Sequence, residues 1–194
     1  MSERCASVSR KTKETDISVS IDLNGRGVGK INTGIGFFDH MLTALSAHGR
    51  IDMDVSVTGD LNVDCHHTIE DTGIVLGDAF SKALGDKSGI ARYGNAFIPM
   101  DESLAHVTVD VSGRPYLVFD ASFSQPMIGD MDTQMVEEFF RAFAFRAGMT
   151  VHARLLYGSN DHHKAEALFK ALAHALSAAL EEKDVTLSTK GSFD

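Results

Sequence analysis

Cys5 and Cys65 are the only cysteines in 194 residues. Two thiols cannot build a disulfide framework, so the fold has to rest on its core. No stretch approaches the roughly 18 apolar residues of a membrane span. Met1 to Asp16 is polar and holds no apolar run of signal-peptide length. Positive charge is also in short supply, with 18 Lys and Arg against 27 Asp and Glu and a formal net charge of -9. That balance argues against general electrostatic binding to nucleic acid or to an anionic membrane. It still allows an anionic small molecule to be held by a few converging basic side chains. A soluble protein of a reducing compartment, the cytoplasm, is the expectation.

What is present suits a globular enzyme. Apolar residues make up 43% of the chain and charged residues 23%. That permits a sizeable core in one large domain or two small ones packed as a unit. Nine histidines stand out, four of them in two His-His pairs.

Ile17 to Leu23 alternates apolar and polar residues, the pattern of a half-buried strand. A turn at Asn24-Gly25-Arg26-Gly27 leads to a returning strand at Val28 to Ile31. Phe37 to His48 has helical spacing, and Gly49 is placed to end it. Ile51 to Val57 alternates again. Asp64 is a candidate N-cap for a helix that opens at His66 and runs to about Leu84.

The second half repeats this order. Leu104 to Val111 alternates, Ser112-Gly113-Arg114-Pro115 turns, and Tyr116 to Phe119 extends. A Phe-rich helix from Val136 to Ala147 is closed by Gly148. Met149 to Tyr157 is a strand, and a helix opens at Asp161-His162-His163 and runs to about Leu180. Each half therefore reads as a ββαβα unit ending in a helix headed by His-His-x-x-Glu. The two motifs lie 96 residues apart. This predicts an internally duplicated α+β fold, two small sheets packed with helices. The first half-repeat spans 1–90 and the second 91–194, sharing one core.

Residues i and i+4 of a helix lie on one face. His66 with Glu70, and His162 with Glu166, can each offer an imidazole nitrogen and a carboxylate to one divalent ion. His67 and His163 are turned by about 100° from their neighbours and point at a second ion or another subunit. His40, at the start of the first helix, and His152, on the last strand, complete a set of six imidazoles and two carboxylates. That set divides into two N3O sites and suits Mn, Fe or Zn rather than Ca or Mg. Arg92, Arg114, Lys170 and the segment Ser188-Thr189-Lys190 are candidates for gripping phosphate. Lys170 shares the helix face of His162 and Glu166. Glu14 is an ordinary acidic residue by its local sequence, and His48, His106 and His174 read as ordinary histidines.

Three strings carry a specific likeness: Gly36-Phe37-Phe38-Asp39-His40-Met41-Leu42, Asp64-Cys65-His66-His67-Thr68-Ile69-Glu70-Asp71, and Ser159-Asn160-Asp161-His162-His163-Lys164-Ala165-Glu166. Together with Gly113-Arg114-Pro115 and Ser188-Thr189-Lys190-Gly191, they resemble the imidazoleglycerol-phosphate dehydratase family from about Thr12 to Gly191. The resemblance implies a lyase of histidine biosynthesis and a homo-oligomer of 24 subunits with active sites at subunit interfaces. It also implies two Mn ions per active site. One would be held by His66, Glu70 and His152 with His163 from a neighbour. The other would be held by His40, His162 and Glu166 with His67 across the same interface. Glu14 is implied as the general base, and His48 joins the substrate contacts. Many family members carry Gln just after the Asp-His-Met string, where this chain has Thr43 and Ala44. Phosphate grip is then expected from Arg92, Arg114, Lys170, Ser188 and Lys190.

The implied chemistry is loss of the hydroxyl beside an imidazole ring, then of a neighbouring C–H proton, giving an enol that ketonises. Two other readings fit a pair of metal-binding motifs. A dinuclear hydrolase needs its ions about 3.5–4 Å apart, closer than two separate helices suggest. A metal-storage protein has no use for Arg114, Lys170 and Lys190.

Overall fold

The computed structural model describes residues 4–184. The first half runs β1 (Cys5–Lys11), β2 (Thr15–Asp22), β3 (Gly29–Asn32), α1 (Gly36–Gly49), β4 (Asp52–Gly59) and α2 (His66–Leu84). The second runs β5 (Tyr93–Met100), β6 (Ser103–Asp110), β7 (Tyr116–Asp120), a short β8–β9 pair (Met127–Ile128, Met131–Asp132), α3 (Gln134–Ala147), β10 (Thr150–Tyr157) and α4 (Asp161–Ala179).

The two main sheets have the same layout. Their strand orders are β1-β2-β4-β3 and β5-β6-β10-β7. In each, the two central strands are antiparallel, and the last edge strand runs parallel to its neighbour. The duplication predicted from the two motifs thus extends to topology. Each half also has a leading edge strand that the ββαβα reading lacks. Val28 to Ile31 was expected to return against the strand before it. The observed strand β3 instead lies across the sheet, paired in parallel with β4. The turn at residues 24–27 therefore starts a crossing rather than a hairpin.

Alternation decides which sheet face is buried. Ile17, Val19 and Ile21 of β2 and Met53, Val55 and Val57 of β4 face the helices, as do Ala105, Val107 and Val109 of β6 with Val151 and Ala153 of β10. The helices lie between the sheets, and their pairing crosses the halves: α1 packs on α4, and α2 on α3. Phe38, Phe80, Phe139, Phe140, Phe143 and Phe169 meet there, with Phe139 5.4 Å from Phe38 and 5.2 Å from Phe169 between ring centroids. Burying a large apolar side chain contributes about 1.5–3 kcal/mol, so this cluster fastens the halves into one core. Gly73 and Gly77 let α2 approach α3 closely; a Cβ on Gly77 would stand 2.6 Å from that of Arg146.

Helix ends differ from expectation in two details. Arg50, not Gly49, takes the left-handed conformation that closes α1, at φ 56°. Cys65 occupies the N-cap position of α2, while Asp64 one residue earlier accepts the backbone N–H of His66 at 2.8 Å. Gly148 closes α3 as read, with φ 66°. Asn160 caps α4 by accepting from the backbone N–H groups of His162 and His163.

Candidate metal centre

Cross-half packing brings a helix of the first half onto the motif of the second. His40, the fifth residue of α1, meets His162 and Glu166 on the first two turns of α4. Their ligating atoms all lie within 4.8 Å of one another. The His162 Nε2 is 3.2 Å, and the His40 Nε2 3.5 Å, from Glu166 Oε2. The Phe37 ring stands edge-on to His162, 5.0 Å between centroids, and limits where that imidazole can turn. Glu166 is buried, and Lys170 Nζ pairs with its other oxygen at 2.7 Å. Burial alone would raise the Glu166 carboxyl; Lys170 and His40 outweigh it and hold the group below its ordinary range. Two imidazole nitrogens and an ionised carboxylate oxygen, gathered this closely, form a donor set suited to a divalent transition ion.

The first-half motif is more open. His66 Nε2 lies 3.7 Å from Glu70 Oε2, as i,i+4 spacing requires, but both side chains are well exposed. Among the described residues, no third ligand joins them. In particular, His152 does not. It sits on β10, opposite Thr108 on β6, in a cavity of about 390 Å³ lined also by Tyr93, His106, Asp110 and Arg154. The grouping of His66, Glu70 and His152 is therefore not made within one chain among the described residues: His152 is exposed on the face of its sheet opposite to Val151 and Ala153, which are buried against the helices.

His67 and His163 turn away from their neighbours, as helical geometry dictates. Each meets a carboxylate that the sequence pattern does not single out. His67 Nδ1 lies 3.0 Å from Asp60 Oδ2, and His163 Nδ1 lies 2.7 Å from Glu102 Oε2. These contacts raise both imidazoles. Glu102 is held far below the usual carboxylate range, by His163 first and then by the backbone N–H groups of Asn160 and Ser159. Burial pushes the Cys65 thiol up, away from the thiolate a metal would need.

Glu14 sits in the β1–β2 turn, exposed, with Oε1 3.9 Å from His67 Nε2. Thr12 Oγ1 accepts the backbone N–H groups of Glu14 and Thr15, and Thr15 Oγ1 donates to the buried Asp71 of α2 at 2.6 Å. Glu14 is thus carried on a hairpin tied to the motif helix, rather than on a free N-terminal arm.

The cations divide. Arg92 donates through Nε to Asp110 at 2.7 Å, and Arg114 NH2 lies 3.8 Å from the same carboxylate. Both therefore border the second sheet near His152. Of the candidate cations among the described residues, Lys170 alone stands at the His40 cluster. His48 lies beside His174, with 5.4 Å between ring centroids; burial first, then Lys170, lowers its pKa. Ser188, Thr189 and Lys190 lie outside the described residues. The sequence reading also missed the clamp at the head of α4. There Asp161 accepts the N–H groups of Ser124 and Gln125 and pairs with Lys164 at 2.8 Å. An acidic residue beside an Asn N-cap is the signal that could have pointed to it.

The imidazoleglycerol-phosphate dehydratase family model matches residues 33–176, which include both motifs and every residue of the His40 cluster. The chain belongs to this family. Membership makes it a hydro-lyase of histidine biosynthesis. Imidazoleglycerol-phosphate dehydratase of Clostridium botulinum (strain Hall) is 56% identical over 196 residues, covering 100% of both chains. That of Ruminiclostridium cellulolyticum is 60% identical, covering 96% of this chain and 97% of its own. In three dimensions the fold is similar to imidazoleglycerol-phosphate dehydratase of Staphylococcus aureus, with TM-score 0.84, 42% identity, and 92% of this chain and 99% of that one covered. The Pyrococcus furiosus dehydratase, solved in complex with (S)-C348, has TM-score 0.84 and 39% identity over 95% and 99%.

Proposed function

We propose that this chain dehydrates D-erythro-imidazole glycerol phosphate to imidazole acetol phosphate, with two manganese ions per active site and with active sites built where copies of the chain meet. The observation that carries this reading is the His40–His162–Glu166 cluster, a three-donor site on a chain 56% identical over its full length to a named dehydratase. His40, His162 and Glu166 would hold one ion. His66 and Glu70 supply two donors for the other. The second pair ends in solvent, and His67, His152 and His163 find no common centre within one chain, so contact between copies supplies the missing ligands. We take the assembly to be the 24-subunit homo-oligomer the family resemblance implies, working in the cytoplasm.

A bound divalent ion supplies Lewis acidity and a template for the imidazole ring. The chain's own groups do the rest. Lys170 keeps Glu166 ionised and so ready to ligate. Glu14, beside His67, is the general base that takes the C–H proton next to the carbon losing its hydroxyl. The hydroxyl leaves as water and the enol ketonises, so H and OH are lost from the substrate and its phosphate ester stays intact. Arg92, Arg114 and Lys170, with Ser188, Thr189 and Lys190, grip the phosphate, and His48 lines the substrate side of Lys170.

The test is turnover of imidazole glycerol phosphate by chelator-stripped protein, with and without added Mn, while assembly size is followed. Activity that returns with Mn, without release of inorganic phosphate, is the expected result. Metal-bound protein that never dehydrates the substrate would sink the proposal, and phosphate release would point to a hydrolase.

A further inference from the structure

We infer that Glu102 is a positioning residue for His163, holding its imidazole in the tautomer whose Nε2 is free to ligate. The inference rests on the reading of His163 as a metal ligand.

Both oxygens of Glu102 are committed. Oε1 accepts the backbone N–H groups of Ser159 at 3.0 Å and Asn160 at 2.7 Å, and the hydroxyls of Ser103 at 3.1 Å and Ser159 at 3.2 Å. Oε2 is then left for His163 Nδ1 at 2.7 Å. An ionised carboxylate only accepts hydrogen bonds, so Nδ1 must carry the proton. The lone pair of the neutral ring is then on Nε2, at the outer end of the imidazole. A ligating histidine commonly has its second ring nitrogen fixed by a carboxylate in this way. The first half arrives at the same arrangement by another route. Asp60, in the turn after β4, stands against His67 Nδ1, and Glu102, in the β5–β6 turn, stands against His163 Nδ1. The carboxylates come from different places in the two halves, so this resemblance is not a remnant of the duplicated sequence.

Glu102 also pins the loop that leads into α4, and the substitution Glu102→Gln separates the two roles. Backbone N–H groups cannot reverse, so the glutamine carbonyl must take the place of Oε1. Its NH2 then faces Nδ1 and donates to it, which moves the ring proton to Nε2. The pin survives and the tautomer inverts. The alternative, that Glu102 is only a pin, predicts that glutamine is tolerated.

The experiment measures Mn affinity of the full-length, metal-stripped protein by electron paramagnetic resonance, with assembly size followed through the titration, for wild type, Glu102→Gln, Asp101→Asn and His163→Ala. Circular dichroism and 15N spectra of histidine-labelled metal-free protein accompany it. Glu102→Gln is expected to keep the wild-type dichroism, to show the His163 15N pattern of the Nε2–H form, and to bind Mn about ten- to a hundredfold more weakly. Asp101→Asn removes an exposed charge 3.7 Å from Nε2 without touching Nδ1. It should change affinity by no more than about twofold. Wild-type affinity in Glu102→Gln would overturn the inference, as would an equal loss in Asp101→Asn. Wild-type affinity in His163→Ala would overturn the ligand reading itself and the inference with it. If Glu102→Gln loses its dichroism, Glu102→Ala decides: a normally folded Glu102→Ala with wild-type affinity overturns the inference, and one with weakened affinity supports it.

Discussion

The last helix of each half opens with the same five-residue motif, yet among the described residues only one of the two motifs gathers a third donor within the chain. The Glu166 side chain is 8% exposed and ringed by His40, His162 and Lys170, whereas that of Glu70 is 42% exposed and, among the described residues, forms an ion pair with His66 alone. The difference comes from what each motif helix packs against. Helix α4 lies on α1, whose fifth residue is His40. Helix α2 lies on α3, whose fifth residue is Glu138, paired with Arg141 at 3.2 Å. Four residues past each motif glutamate stand Lys170 in one half and Ile74 in the other. The duplicated motif offers a like pair of donors in each half; packing against α1 adds a third donor to one pair, and the other pair faces outward. In the proposed assembly it is this outward-facing pair that a neighbouring copy would close.

The largest expected effects break the comparison at its centre. Removing a ligand from either motif, by His162→Ala or His66→Ala, should lower turnover of imidazole glycerol phosphate by at least about a thousandfold, the equivalent of several kcal/mol of lost charge stabilisation. Steady-state assays with saturating Mn check this. A variant that keeps more than a tenth of the activity would remove that motif from the chemistry.

Packing offers the next contrast. Where α2 has Gly73 and Gly77, the positions 96 residues later on α4 are Phe169 and Ala173. Phe169→Ala should cost about 3–5 kcal/mol through the cavity it leaves between Phe139 and Phe140. Gly77→Ala should cost about 1–3 kcal/mol for the opposite reason, because its Cβ meets Arg146 Cβ at 2.6 Å and the Phe143 carbonyl at 2.8 Å. Denaturant midpoints with an unchanged m-value test both.

The smallest effect concerns pH. Asp52 of β4 accepts the N–H groups of Arg26 and Val28 at 2.8 Å each, holding the Gly-Arg turn of the first half. The corresponding first residue of β10, Thr150, holds the second turn by donating to the Arg114 carbonyl. Those N–H donors lower the Asp52 carboxyl, that of Val28 first. A depressed folded pKa contributes stability above the ordinary carboxylate range, and that stability is lost as pH falls through the folded value. Asp52→Asn should therefore destabilise the protein by about 0.5–1 kcal/mol at neutral pH and less in acid. Thr150→Val should show no such pH dependence. Melting curves at pH 7 and pH 3 separate the two.

Much of this contrast was legible in the sequence, and what was not has physical reasons. Helical periodicity alone pairs His66 with Glu70 and His162 with Glu166, and turns His67 and His163 aside. Strands β2, β4, β6 and β10 are visible because one buried face forces strict alternation. Strand β1 was not, because Ser7, Ser9 and Arg10 dilute its pattern; nor was β5, where Gly94, Asn95 and Pro99 suit an edge strand but mimic a loop. The meeting of His40 with Glu166 depends on helices that pack across the halves, a contact no local spacing encodes. Asp60 and Glu102 look like ordinary turn residues until the fold sets them against an imidazole.

The central claim, that one catalytic centre draws on more than one copy of the chain, is tested most directly by mixing two inactive variants. His162→Ala and His66→Ala protein, dissociated, combined in equal amounts and reassembled with Mn, should recover up to about a quarter of wild-type turnover, because some interfaces then join two intact motifs. Mixtures that stay as inactive as either parent, although the copies have demonstrably exchanged, would contradict the account and place the whole centre within a single chain.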